Sequence, residues 1–271
     1  MTIEIACFQV DAFSPRPFSG NPAAVCPLDA WLPDPIMQSI AAENALSETA
    51  FFVPRAGGDF DLRWFTPAVE VDLCGHATLA SALVLFERLE PSRAAVTFHT
   101  RSGPLRVERE AGLLAMDLPA WPPRQLDAGD EVERALGCRP LEVLLGRDLV
   151  VVVETAEQVR LLAPDMARIA ALDAFAVCVT APGGGQDADV DFVSRFFAPA
   201  KGVPEDPVTG SAHCQLVPYW AARLGQSRLR ARQVSRRGGE LEGELCGDRV
   251  RLRAAACLVK TGAFLLPDAG G

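Results

Sequence analysis

Four short patterns occur twice in this chain, in the same order. L-P-D-P-I-M-Q-S-I-A-A from Leu32 resembles A-P-D-M-A-R-I-A-A from Ala163, and F-F-V-P at 51–54 is answered by V-T-A-P at 179–182. D-L-R-W-F-T-P at 61–67 is answered by V-S-R-F-F-A-P at 193–199, and C-G-H-A-T-L-A from Cys74 by T-G-S-A-H-C-Q from Thr209. The separation between partners grows slowly, from 129 residues for Ile40 and Ile169 to 132 for Arg63 and Arg195 and 135 for Gly75 and Gly210. Matches that keep their order while the offset drifts mark a duplicated unit. Two similar domains are therefore expected, each large enough to bury a core. The proline-rich stretch A-W-P-P-R-Q-L-D-A-G-D at 120–130 is the natural boundary. It gives an N-terminal domain over 1–119 and a C-terminal one over 120–271, with the last strand free to return to the first.

Each half is expected to carry one buried helix. In V-E-V-D-L-C-G-H-A-T-L-A-S-A-L-V-L-F, residues 69–86, a glycine-bearing turn runs straight into a segment apolar on nearly every side. Such a helix belongs inside a soluble core and is too short to cross a bilayer. Its partner, S-A-H-C-Q-L-V-P-Y-W-A-A-R-L-G, contains Pro218, where a kink is expected, and stops at Gly225. The first turn of a helix offers unpaired N–H groups and the positive end of a dipole, an anion site. Two such starts facing each other across an interdomain cleft would suit a small anionic metabolite.

The remaining segments read more locally. Residues 3–10 and 22–26 suggest strands around the loop F-S-P-R-P-F-S-G-N-P, and 95–101, 104–110 and 112–118 a short meander. Asp34 before Pro35 reads as a capping carboxylate ahead of a proline at the first helical position. Thr155 with Gln158 makes a capping box.

Composition narrows the partners. A net charge of −9 disfavours nucleic acid and anionic membranes. The eight cysteines are scattered without a C-x-x-C pair, no secretory leader precedes the first strand-like run, and no apolar run reaches membrane-spanning length. Free thiols in the cytoplasm are the expectation. The basic run at 228–237 alternates like a strand with one charged face, a surface pattern in an acidic chain. The three histidines have no metal-ligand spacing, and neither a phosphate loop nor a dinucleotide fingerprint is present, so neither metal nor cofactor is expected.

Several residues could carry chemistry. Glu48, between Ser47 and Thr49 beside an apolar run, could be desolvated into a general acid or base, or be a solvated turn residue. The matching segment in the second half, D-A-F-A-V-C-V-T, has no acid in the aligned place. Cys74, at a helix start, could be a nucleophile or racemase base or a small core residue; Thr209 stands at its counterpart. His76 could donate to a carboxylate or shuttle a proton, or serve structure alone. Asp206 lies in G-V-P-E-D-P-V-T-G-S-A-H as an orienting or capping carboxylate, with Gly210 and Ser211 as donors at the second helix start.

Taken together, V-D-A-F…F-S-G-N-P-A-A-V, L-S-E-T-A-F-F, L-C-G-H-A-T-L-A and E-D-P-V-T-G-S-A-H resemble, in family order from Val10 to His213, the PhzF-like (phenazine biosynthesis) family. That family shares its fold with diaminopimelate epimerase and proline racemase. The resemblance implies an α+β chain of two similar domains, each a mostly antiparallel sheet wrapped around a central helix, with the site between them. It implies cofactor-independent isomerisation in which one glutamate relocates a proton on a small carboxylate-bearing metabolite. That role falls on Glu48, with His76 and Asp206 as catalytic partners. Substrate contacts fall on Gly75, Gly210 and Ser211, and on Thr209, Cys74 and the Asn21 of F-S-G-N-P. Cys74 matches the first thiol of the racemase relatives; the second is missing, which favours the glutamate. The alternatives are a thiol-dependent epimerase using Cys74 with His76 or His213, and a non-catalytic binding member of the fold. Dimerisation is common in the family, so a homodimer is an expectation of the resemblance alone.

Overall fold

The computed structural model describes residues 2–127 and 130–267. Ala128 and Gly129 of the proline-rich stretch lie outside them, as do Met1 and residues 268–271. The chain divides into two compact units, one made of Met1–Asp117 with Arg253–Gly271, the other of Leu118–Leu252.

The first unit runs β1 (Thr2–Ala12), β2 (Asn21–Pro27), α1 (Asp34–Asn44), β3 (Glu48–Pro54), β4 (Phe60–Phe65), β5 (Glu70–Val71), α2 (Gly75–Val84), β6 (Ala95–Thr100), β7 (Gly103–Glu110) and β8 (Leu113–Pro119). Strands β1 and β2 are antiparallel, β2 and β3 parallel, β3 and β4 antiparallel. Strand β4 then pairs antiparallel with β5 and parallel with β6, which opens the antiparallel meander β6–β7–β8.

The second unit runs β9 (Arg124–Gln125), α3 (Glu131–Leu136), β10 (Glu142–Leu145), β11 (Leu149–Val152), α4 (Ala156–Leu161), α5 (Met166–Ala171), β12 (Val177–Pro182), β13 (Phe192–Ala198), β14 (Val203–Asp206), α6 (Gly210–Leu224), β15 (Arg228–Gln233), β16 (Gly239–Cys246) and β17 (Arg249–Ala254). Its pairings repeat those of the first: β10–β11 antiparallel, β11–β12 parallel, β12–β13 and β13–β14 antiparallel, β13–β15 parallel, β15–β16 antiparallel. The final strand, β18 (Ala256–Pro267), belongs to the first unit and lies antiparallel along β1, from Thr2↔Pro267 to Ala12↔Ala256.

The duplication extends to side chains. Arg63 makes a forked ion pair with Glu70 at 2.7 and 2.8 Å while its guanidinium lies over Phe65. Arg195 makes the same fork with Glu205 at 2.7 and 3.0 Å and lies over Phe197. A bidentate guanidinium–carboxylate pair fixes both partners in one plane, so each fork pins the strand before the helix start to the short strand leading into it.

Helix α2 is buried from His76 through Val84, as expected of a segment without a polar stripe. Its two hydroxyls turn inward on the helix: Thr78 Oγ1 donates to the Cys74 carbonyl at 2.6 Å and Ser81 Oγ to that of Ala77 at 2.8 Å. They can therefore be buried without the cost of an unpaired donor.

Helix α6 runs through Pro218 without a break. A proline leaves the carbonyl four residues earlier without its helical donor, and here the Trp121 N–H donates to that carbonyl, of Cys214, at 2.8 Å. The helix ends at Gly225 in the left-handed region, φ 69°. Thr155 and Gln158 form the capping box. Asp34 does not cap α1: Pro33 occupies the cap position, and the Asp34 carboxylate, one residue inside, accepts from Arg63 at 2.9 Å. The basic strand β15 buries Leu229, Ala231 and Gln233 and pairs Arg228 with Glu242 and Arg232 with Glu240 on its outer face. All eight cysteines are free thiols. Among the described residues no helix is long and apolar enough to cross a membrane.

Candidate active site

Glu48 is the first residue of β3, and both of its neighbours are tied down. Ser47 Oγ donates to Oδ1 of the buried Asn21 at 3.4 Å, and Asn44 Nδ2, from the last turn of α1, donates to Thr49 Oγ1 at 3.1 Å. Asn21 opens β2 directly after Gly20, whose φ of 70° suits glycine and where a Cβ would stand 2.1 Å from the Ala12 carbonyl oxygen. The glycine of F-S-G-N-P is thus required by the close approach of the backbone, which sets Asn21 under Ser47.

Cys74 holds the cap position of α2 with extended backbone, φ −144°, and His76 sits in the first turn. Three groups from two segments meet here. His76 Nε2 lies 3.0 Å from Glu48 Oε2, and Cys74 Sγ lies 3.5 Å from His76 Nδ1. The carboxylate and the imidazole are mostly buried, with side-chain exposures of 19% and 9%. The 3.0 Å approach is an ion pair without hydrogen-bond alignment, so the buried Glu48 Oε2 has no hydrogen-bond partner.

The electrostatics of the three groups follow from that geometry. Burial drives the Glu48 carboxyl upward, but the charge on His76 and the close polar approach of His76 and Cys74 outweigh it and hold the pKa below the ordinary glutamate value. Burial alone would favour the raised carboxyl pKa expected from the sequence; the histidine reverses the sign. For His76, burial opposes the charge, but the Cys74 sulfur and the Glu48 carboxylate raise its pKa well above the imidazole value. Burial, with Glu48 behind it, pushes the Cys74 thiol up. The carboxylate and the imidazole thus each favour the other's charged form. Gly75, beside them, has room: a Cβ there would touch only Met116 Cε, at 3.5 Å.

The second unit gathers its own predicted residues at the start of α6. Thr209 is the cap, and its hydroxyl donates to Asp206 Oδ2 in a short hydrogen bond. The Thr209 N–H donates to Gln233 Oε1 at 2.9 Å, and Gln233 Nε2 donates to the Asp206 carbonyl at 2.7 Å. Gly210 is buried and Ser211 partly exposed in the first turn. Sequence reasoning missed Gln233, though the two-residue period of R-L-R-A-R-Q places it on the inner face with Leu229 and Ala231. A polar residue at an apolar-facing position was the available signal. The grouping of Glu48 with Cys74 and His76 was likewise invisible as spacing, because β3 and α2 are brought together only by the fold. His213 is fully buried, its Nδ1 2.8 Å from the Thr209 carbonyl and its ring beside Phe192. It is therefore part of the core of its unit.

A two-unit α+β fold with a carboxylate–imidazole pair at the start of a buried helix defines a class, and comparison with known proteins identifies it. The family model for phenazine biosynthesis-like proteins (PhzC-PhzF) matches residues 10–262. An uncharacterized isomerase of Pseudomonas aeruginosa is 53% identical over 264 residues, covering 97% of this chain and 100% of that one. A crystal structure of a PhzF-family protein from Enterococcus faecalis superposes with a TM-score of 0.93 at 46% identity, covering 97% and 99% of the two chains. The chain belongs to the phenazine biosynthesis-like family. A hydroxyproline epimerase from Agrobacterium vitis, 12% identical with a TM-score of 0.64, covering 98% of this chain and 94% of its own, shares the fold.

Proposed function

We propose that this protein, an isomerase of the family its relatives define, moves a proton between two atoms of a small carboxylate-bearing metabolite, with Glu48 as the group that takes the proton and returns it. The observation that carries this reading is the buried Glu48 Oε2, charged, beside a cation at 3.0 Å, and without a hydrogen-bond donor. A carboxylate oxygen in that state is an acceptor held dry for a proton that arrives with the substrate. His76 keeps the carboxylate ionised before the reaction and, with the N–H groups at the start of α2, offers positive potential to a substrate carboxylate or to negative charge developing on the carbon skeleton. No cofactor is needed for such a transfer.

Asp206, Thr209, Gly210 and Ser211 share in holding the substrate in this reading, together with Asn21, Gly75 and Cys74. The support is their place at the second, duplicated helix start and their match to the family's motifs. Ser211→Ala is expected to raise KM more than it lowers kcat.

The test is Glu48→Gln, which keeps the shape and removes the base. Exchange of solvent deuterium into a panel of amino-carboxylates, read by mass, should fall by roughly two to four orders of magnitude, with the circular dichroism unchanged. Wild-type exchange in this variant would overturn the assignment. The 3.5 Å approach of Cys74 Sγ to His76 favours a second reading, a thiol base. Burial of that thiol and its raised pKa speak against it. Cys74→Ser should retain exchange; a dead Cys74→Ser with an active Glu48→Gln would transfer the role to the thiol.

A further inference from the structure

We infer that Glu48, Cys74 and His76 form a binding site for a borderline divalent cation of the zinc class, and that such a cation blocks the isomerisation. One donor atom from each residue lies within 4.8 Å of the other two. The set is a carboxylate oxygen, an imidazole nitrogen and a sulfur, a mixture that suits zinc; a thiolate is a poor ligand for magnesium or calcium. Zinc bonds of about 2.0 Å to nitrogen and oxygen and about 2.3 Å to sulfur place tetrahedral ligand atoms about 3.3–3.6 Å apart. His76 Nε2 is 3.0 Å from Glu48 Oε2 and 3.9 Å from Cys74 Sγ, each within about half an ångström of that spacing.

The ligands are also held in place. Cys74 and His76 are fixed by the start of a buried helix, and Glu48 by the anchored Ser47 and Thr49. Glu48 Oε2, the oxygen without a hydrogen-bond partner, is the ligand atom this site most needs. Three protein ligands leave a fourth position open, as in exchangeable zinc sites. Occupation would engage the oxygen assigned above to proton transfer. The inhibition therefore rests on the proposed function; the binding does not.

Cobalt(II) is the probe, added to the full chain after treatment with a chelator. A thiolate-to-cobalt charge-transfer band should appear with the visible bands of a four-coordinate ion, saturate at one equivalent, and be displaced by zinc. Cys74→Ser should lose the charge-transfer band and weaken zinc more than about 100-fold, beyond the 10–100-fold that losing an outer-shell partner costs. His76→Gln is the second variant and should weaken zinc comparably. Cys246→Ser, which removes an exposed thiol, should leave the spectrum as it is. No saturable spectrum, or one that survives Cys74→Ser, overturns the site. Zinc bound at one equivalent through Cys74 without loss of deuterium exchange overturns the inhibition. A dead Glu48→Gln in a protein that binds no metal rejects the metal site alone, and an active Glu48→Gln in a protein that binds it rejects the glutamate alone.

Discussion

Burial of His213 should make the second unit sensitive to mild acid, and the size of the effect can be worked out from the structure. The ring is enclosed in α6, Nδ1 donates to the Thr209 carbonyl at 2.8 Å, and Nε2 has no hydrogen-bond partner. Burial, opposed only by that backbone bond, lowers its pKa from 6.5 to about 4. The folded chain therefore refuses a proton that the unfolded chain accepts, so stability falls as pH drops below about 6.5 and the loss levels off below about 4. At 1.36 kcal/mol per pH unit the whole step is about 3 kcal/mol, or roughly 6–12 °C in the melting temperature of a domain of this size. Carboxylates titrate over the same range, so the quantity to measure is a difference. Urea unfolding of wild type and His213→Gln, followed through Trp220, which stacks on Phe192 at 5.8 Å, isolates it. His213→Gln should be less stable near neutral pH and gain about 3 kcal/mol on the wild type between about pH 7.5 and about pH 4. Parallel curves would show that His213 titrates freely and that the packing described for α6 is wrong.

Three further outcomes follow from single sites. Gly75→Ala meets only Met116 Cε at 3.5 Å, so its melting temperature should hold or rise slightly while deuterium exchange falls, because the added methyl stands where the substrate is proposed to approach; a thermal scan beside the exchange assay reads both. Gln233→Leu strands the Thr209 N–H, and it should destabilise the chain by about 1–3 kcal/mol in urea titration, the cost of a buried group left unsatisfied. The thiols should separate on brief iodoacetamide labelling near neutral pH. Cys7, held below the ordinary thiol value chiefly by a hydrogen bond from Cys26, should react faster than Cys74, which burial pushes up; peptide mass spectrometry gives the order.

What the sequence disclosed, and what it hid, divides along physical lines. Periodicity and turn chemistry are local, so the strands around F-S-P-R-P-F-S-G-N-P, the meander after α2 and the capping box at Thr155 were legible from neighbouring residues alone. The apolar run after Cys74 announced a buried helix because no polar stripe was left for water. What depended on contacts far apart in the chain was hidden. Asp34 looked like a cap until Arg63 claimed its carboxylate. Pro218 strands the Cys214 carbonyl, and the N–H that meets it comes from Trp121, far away in the chain. The sign of the Glu48 shift is the clearest case: burial was readable from the apolar flank, whereas the cation that overrides it comes from a helix in another part of the chain.

The duplication itself separates architecture from chemistry. Where both halves keep a residue, that residue builds: Arg63 and Arg195 make the same fork to Glu70 and Glu205 and lie over the same aromatic position, and the strands pair in the same order around each helix. At three positions where the halves differ, the first has a glutamate, a cysteine and a histidine and the second has residues without acid or imidazole. With Arg63 and Arg195 set in register, Thr49 of β3 matches Val177 of β12, so Glu48 stands where the second half has Ala176. Cys74 is answered by Thr209 at the helix cap, and His76 by Ser211 in the first turn. A fold that needed these groups for stability would have reason to repeat them, and Ala176, buried and apolar, shows that the fold is satisfied without an acid there. Burying a carboxylate and an imidazole at these matched positions adds a desolvation penalty that the second half does not carry there. A cost borne at one of two equivalent positions needs a reason other than architecture, and that is the ground on which the proton transfer is proposed for the first half.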